Sequence, residues 1–290
     1  MVKSYILAAR PKTLPAAFVP VWVGCVLAWK TTGETHWTLA LLTLLGAMSI
    51  QIATNLFNDV IDHEKGADTR VRLGPQRATA GGLLSSRAVY GGACLFLLLA
   101  CLASLPLVHA RGSLVIAIGL PSLYLCYGYT GGPFPLAYLG LGELFVILFF
   151  GLVAVGGTFY VQTGEWVWSA GALGMQVGLL CAVLIAINNL RDLEEDRESG
   201  KRTLGVRFGR NVLQRVIVGF VVLALILSLC GLWYGAPWFP LFSVPWFAMG
   251  AICIRGVRSS LPGKRYNRFL GYAALQLVLF AFFFMVAVAV

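Results

Sequence analysis

The sequence predicts an all-α, polytopic membrane protein, on three observations. Charged residues fill 12% of its 290 positions and hydrophobic ones 59%. A soluble domain carries about 25% charged residues, and half that charge cannot cover a water-facing surface over this length. Apolar stretches recur along the whole chain, many of them near the ~20 residues a spanning helix needs. Finally, 20 of the 22 Lys and Arg residues fall on one side of the topology those stretches define.

Nine transmembrane helices follow in order: Leu14–Thr31, Trp37–Ile61, Val89–Val108, Ser113–Tyr129, Ala137–Val161, Ala170–Leu190, Val212–Tyr234, Trp238–Ile254 and Phe269–Val290. The first begins after Arg10 and Lys12, holds Pro15 and Pro20, and is succeeded by many similar runs, so it reads as a span and not a cleavable signal. The second and sixth end in polar, acidic sequence. The fourth and eighth are interrupted at Gly119–Pro121 and at Pro245, breaks that neighbouring helices can accommodate. Trp22, Trp29, Trp37, Trp166, Trp168, Trp233 and Trp238 lie mostly near span ends, where amphipathic rings prefer to sit. The seven cysteines stand singly in apolar runs with no CxxC pair, and read as small buried hydrophobes. One membrane-embedded domain over residues 1–290 is expected.

Orientation follows from the bases. The N-terminus (Lys3, Arg10, Lys12) and the connections after spans two, six and eight carry all of them except Lys30 and Arg111. Basic loops stay cytoplasmic. The net charge of +10 is therefore a matter of topology, and no nucleic acid is expected as a partner. The lipid bilayer is.

Nine of the twelve acids lie in two clusters, each starting at the cytoplasmic end of a span: Asp59, Asp62, Glu64 and Asp68, then Asp192, Glu194, Glu195, Asp196 and Glu198. At about 100° per residue, Gln51, Asn55, Asn58, Asp59 and Asp62 share an arc of about 100°. Asn189, Asp192, Asp196 and Ser199 likewise share one face. Each span thus lowers a polar stripe from within the bilayer to its surface, where such groups normally face a cavity or a partner. Clustered carboxylates repel unless a cation separates them. Hard oxygen ligands suit Mg²⁺, which is usually held by one or two carboxylates plus substrate phosphate. Interleaved Arg70, Arg72, Arg77, Arg191 and Lys201 suit the remaining charge of a pyrophosphate. The pattern points to a Mg²⁺–pyrophosphate headgroup carrying a hydrocarbon tail. Glu64, Glu194, Glu198 and Arg202 read as solvated loop charges. Glu143, inside the fifth span, either lines a cavity or bonds a neighbour.

At these residues the chain resembles the UbiA superfamily of intramembrane prenyltransferases. That family has nine helices and an Asn-Asp-x-x-Asp motif after the second, matched by Asn58, Asp59 and Asp62. Its Asp-x-x-x-Asp motif after the sixth is matched by Asp192 and Asp196, with Lys201 beyond. The family's next acid falls where this chain has Gly66; Asp68 stands two positions later. That spacing, together with Arg10-Pro11-Lys12-Thr13 and Arg72-Leu-Gly-Pro-Gln-Arg77, is similar to the branch that prenylates 1,4-dihydroxy-2-naphthoate. The resemblance implies transfer of a polyprenyl group from its pyrophosphate to that aromatic acid with loss of CO₂, giving demethylmenaquinone. Related branches use 4-hydroxybenzoate, homogentisate or chlorophyllide. It implies a metal site of Asn58, Asp59, Asp62, Asp68, Asp192 and Asp196, with Asp62 and Asp192 catalytic. Arg72, Arg77, Arg191 and Lys201 would meet the pyrophosphate, and Arg10, Asn55 and Asn189 the aromatic acid. Arg10 could equally anchor the N-terminus at lipid headgroups, and an aspartate such as Asp62 could assist deprotonation of a ring hydroxyl. An ion-coupled transporter is the alternative of a different class; its binding groups are expected near the midplane, not at one surface.

Overall fold

The structure is a computed structural model and describes residues 2–68 and 73–290. Among the described residues all regular structure is helical. The long helices are α1 (Pro15–Thr32), α2 (Trp37–Glu64), α3 (Ser86–Arg111), α4 (Ser113–Gly128), α5 (Gly142–Thr163), α6 (Trp168–Arg191), α7 (Arg210–Tyr234), α8 (Phe239–Ser259) and α9 (Tyr266–Ala289). They coincide with the nine expected spans to within a few residues at most ends. Seven are long and apolar enough to cross a membrane unaided. The eighth is α1, which counts together with the N-terminal segment Val2–Thr13, from which it is bent by 55°. The ninth, α4, is apolar but only 16 residues long. The chain is an integral, multi-pass membrane protein.

Small residues decide how closely the central helices approach. The middle of α5 opens into π-helical turns over Ile147–Val153, and Gly151 there lies against Gly174 and Gly178 of α6. A Cβ on Gly151 would fall 2.3 Å from the Gly174 carbonyl oxygen, and one on Gly178 would fall 2.6 Å from that of Ile147. Gly174 and Gly178 form a GxxxG face, a pattern that lets backbones meet inside a membrane. Gly151→Leu is therefore expected to lower stability by about 3 kcal/mol, the upper part of the usual overpacking range. A drop in the detergent melting temperature would show it.

The buried apolar residues form two bodies. The larger joins α1 with α5–α9; the smaller joins the N-terminal segment with α2 and α3. Between them runs an apolar cavity of about 480 Å³, walled by α1–α5. On the face opposite the acidic clusters, the Arg111 guanidinium donates to the carbonyls of Val161 (2.7 Å) and Gln162 (2.9 Å). The Gln162 side chain pairs with the His36 backbone there. Lys30 Nζ donates to the Val288 carbonyl at the C-terminal end of α9 (3.0 Å), where a cation complements the helix dipole.

Candidate active site

α2 delivers the first motif. Its end is a Schellman closure: Gly66 takes φ +68°, its N–H reaches the His63 carbonyl (3.0 Å), and Ala67 N–H reaches that of Asp62 (2.8 Å). The glycine that replaces the family's acid thus turns the chain out of the helix, and the displaced Asp68 takes a different task. Its Oδ1 receives Arg77 Nε at 3.2 Å, while Arg77 Nη2 reaches Asp62 Oδ2 at 3.1 Å. Arg77 ties the two acids together from the returning loop.

Asp62 gathers donors from three segments. Oδ2 also receives Lys201 Nζ at 2.9 Å, so the second motif's lysine crosses to the first motif's aspartate. Oδ1 accepts the Tyr138 hydroxyl at 3.1 Å. The ammonium groups of Lys65 and Lys201 stand 4.3 Å and 5.2 Å from the centre of the same tyrosine ring. Burial and the neighbouring Asp62 push the Tyr138 phenol well above its ordinary pKa, so it stays a donor.

α6 delivers the second motif. Asn188, Asn189, Asp192, Glu195 and Asp196 line the same polar cavity of about 220 Å³ as Asn55, Asn58, Asp62, Arg77, Lys201 and Arg10. The two carboxylate-bearing helix ends therefore meet on one face of the bundle. Glu195 joins them, taking the Leu73 N–H at 2.9 Å. Ala16, Thr54, Tyr129, Val146 and Phe150 line both this cavity and the apolar one. A polar chamber and a hydrocarbon-sized cavity thus share a wall.

Several expected residues stand elsewhere. Asp59 does not line the chamber; its two oxygens accept the N–H groups of Ala78 (3.0 Å) and Thr79 (2.8 Å). It lies about 60° around the helix from Asp62, at the edge of the stripe, and clamps the following loop. Arg191 is also outside the chamber wall. It projects about 100° away from Asp192 in helical terms and chelates that aspartate with two N–H groups, both at 2.6 Å. Its remaining donors go to Asn188 (2.9 Å) and to Asn267 at the start of α9 (2.7 Å). Asp68 sits behind Arg77. Arg70 and Arg72 lie outside the described residues. The pair Glu194–Arg197 is solvent-exposed, as a loop pair should be.

Part of the chamber wall is built on the N-terminal turn. Arg10 adopts φ 51°, the left-handed region that non-glycine residues rarely enter. Local bonds hold it there: Arg10 N–H reaches the Leu7 carbonyl, and the Thr13 hydroxyl donates to the Arg10 carbonyl (3.0 Å). Asn55 of α2 pins the same turn, donating to the Ala9 carbonyl (2.8 Å) and to Thr13 Oγ1 (3.0 Å). Strain of this kind persists where the surroundings over-determine it, and here it carries Arg10 into the chamber. On the same chamber wall, Asn189 donates to Glu143 Oε1 at 2.9 Å. Asn58 accepts the hydroxyl of Thr130.

Tyr129, Thr130, Tyr138 and Asn267 thus join the site without having been expected in it. Glu195, one of the clustered acids, and Glu143, an acid inside a span, carried a visible signal but no assigned role; Glu143 both lines the cavity and bonds a neighbour.

Residues 17–286 match the UbiA prenyltransferase family. The 1,4-dihydroxy-2-naphthoate octaprenyltransferase of Mycobacterium leprae is 34% identical over 282 residues, covering 96% of this chain and 93% of that protein. The enzyme of that name from Haemophilus influenzae is 35% identical over 215 residues, covering 72% and 70%. A solved structure of a UbiA homolog from Archaeoglobus fulgidus bound to GPP and Mg²⁺ superposes with a TM-score of 0.71 at 17% identity, over 99% of this chain and 100% of that one, and shows the shared fold. With the family match spanning nearly the whole chain, this protein belongs to the UbiA prenyltransferase family.

Proposed function

We propose that the protein transfers a polyprenyl group from its diphosphate to 1,4-dihydroxy-2-naphthoate, releasing CO₂ and diphosphate, with Mg²⁺ as cofactor. The acceptor is that of the relatives' names. One observation carries the reading: a chamber walled by Asp62, Asp192, Asp196, Arg77 and Lys201 shares lining residues with a predominantly apolar cavity. A charged head and a long hydrocarbon tail fit that pair of spaces. A carrier would place its polar groups nearer the midplane.

The residues present fit Mg²⁺. Three buried carboxylates and Asn58 converge on one chamber, and they are hard oxygen donors. Among the described residues no group of three acid, His or Cys side chains forms a ready-made shell. An ion there would rest on some of these carboxylates and take its remaining ligands from the substrate's phosphates. When bound, the metal neutralises charge on the departing diphosphate. Asp62, Asp192, Asp196 and Asn58 would hold it; Asp59, Asp68 and Arg191 act as supports behind them.

The chain's own groups do the rest. Lys201 and Arg77 already flank Asp62 and can turn onto the diphosphate as negative charge develops there. The apolar walls hold the tail and keep water from the allylic cation that forms when the C–O bond breaks. Arg10, on the chamber wall, is suited to the acceptor's carboxylate. The one-sided distribution of Lys and Arg supports a chamber that opens on the cytoplasmic side.

Membranes containing the protein, given a labelled prenyl diphosphate and a panel of aromatic acids, should yield a prenylated naphthoquinol. Labelled product should disappear with EDTA and return with Mg²⁺. Product formed only from 4-hydroxybenzoate or homogentisate would reassign the acceptor, and turnover indifferent to chelation would remove the metal.

A further inference from the structure

We infer that Glu143 is the general base and then the general acid of the reaction, exchanging a proton with the acceptor hydroxyl next to the ring carbon that bears the carboxylate. This rests on the hydroxynaphthoate reading above. Glu143 opens α5 and is 2% exposed. It is on the wall of the chamber, with Arg10, Gln51, Asn55 and Asn189. Asn189 occupies Oε1 at 2.9 Å, while Oε2 is buried and takes no hydrogen bond from any described residue. A buried acceptor without a donor carries a substantial penalty, and an incoming hydroxyl would relieve it. Gly142 keeps the adjacent space tight: a Cβ there would stand 2.8 Å from the Tyr129 hydroxyl.

Asp62 is the poorer choice of base. Arg77, Lys201 and Tyr138 all donate to it, so both of its oxygens already have partners. Glu143 has one donor and one bare oxygen. A hydroxyl and a carboxylate on adjacent ring carbons call for a base and a cation on one chamber, and Glu143 and Arg10 both line it, both close enough to Tyr129 to act on its phenol.

The electrons balance without an outside reagent. Glu143 takes the hydroxyl proton. The electron pair left on oxygen is pushed through the ring, and the carboxylate-bearing carbon forms its bond to the allylic carbon. The allylic C–O bond breaks and its pair leaves on diphosphate. The ring is now a β-keto carboxylate. Its C–CO₂ bond breaks, CO₂ departs, and the released pair restores the aromatic ring with negative charge on the former ketone oxygen. Protonated Glu143 returns the proton there. The net products are the prenylated hydroquinone, CO₂ and diphosphate.

The test compares Glu143→Gln with the unmodified protein in membranes, using labelled prenyl diphosphate and 1,4-dihydroxy-2-naphthoate. Glutamine keeps an oxygen for Asn189 but cannot accept the proton. We expect kcat to fall at least about 100-fold, a typical general-base contribution. KM for the prenyl diphosphate should stay within about twofold, and the acidic limb of the pH–rate profile should vanish. A kcat within about threefold of the unmodified protein, or a loss confined to the acceptor KM, overturns the assignment. A second arm needs no variant: the unmodified protein should prenylate 1-hydroxy-2-naphthoate and leave 4-hydroxy-2-naphthoate untouched, and the reverse preference overturns the route. If the unmodified protein prenylates no naphthoate at all, the acceptor reading fails. If it does so and Glu143→Gln matches it, only the proton route fails.

Discussion

Asp62→Asn and Asp192→Asn should each reduce turnover by about two to three orders of magnitude, the scale seen when one preorganised electrostatic contact to a transition state is lost, while the protein still extracts and purifies as a folded monodisperse species. The two aspartates come from helix ends far apart in sequence yet line one chamber. Each substitution keeps shape and removes one negative charge. In Asp62→Asn the cost is concentrated in chemistry, because the remaining carbonyl oxygen can keep Arg77 and Lys201, which share Oδ2, while the new amide N–H can donate to the Tyr138 hydroxyl oxygen that Oδ1 faces. Turnover at constant protein, read alongside size-exclusion profiles in detergent, separates a disabled site from a lost fold. Near-normal turnover in either variant would remove that aspartate from the reaction.

Arg191→Ala should be the most damaging single change to stability near the site, at about 3–5 kcal/mol, the range for stripping one partner from a buried ion pair. Arg191 is among the largest fully buried side chains in the protein. Besides chelating Asp192, it reaches Asn267, whose amide in turn donates to the Leu73 carbonyl at 3.0 Å. One guanidinium therefore couples α6, α9 and the loop beyond the first motif. Alanine would leave the Asp192 charge without its two closest donors and unlink α9 from the loop. Thermal unfolding in detergent and residual turnover should fall together. Arg191→Lys, which carries the charge but not the planar fork, should recover only part of either. A variant that loses turnover but melts normally would instead give Arg191 a direct part in binding diphosphate.

The fold was legible because lipid imposes simple demands: apolar length, satisfied backbone and one-sided bases. The acids of the chamber stood out because a polar group inside a span has few uses other than function. What escaped was anything decided by a few tens of degrees around a helix or by contacts between distant segments. Asp59 and Asp62 are three residues apart, yet one clamps a loop and the other faces the chamber. Arg191 reads as a diphosphate ligand from its neighbours in sequence, but its partner Asn267 is 76 positions away. Tyr138 lies in an uncharged connection after α4, so a search centred on acids and bases passes over it. The approach of Gly151 to Gly174 and Gly178 depends on local π-helical turns that no hydrophobic period announces.

Leu105, Ile116 and Leu120 both line the large apolar cavity and remain substantially exposed on the outside of the bundle. Such residues touch the interior space and the surrounding acyl chains at once, so the cavity is a side bay of the bilayer and not a sealed vessel. A hydrocarbon tail can enter and depart sideways without meeting water, and tails longer than the bay can trail among the lipids. Exchange is then two-dimensional diffusion within the leaflet, and any lipid or detergent chain that drifts into the bay competes for the same berth.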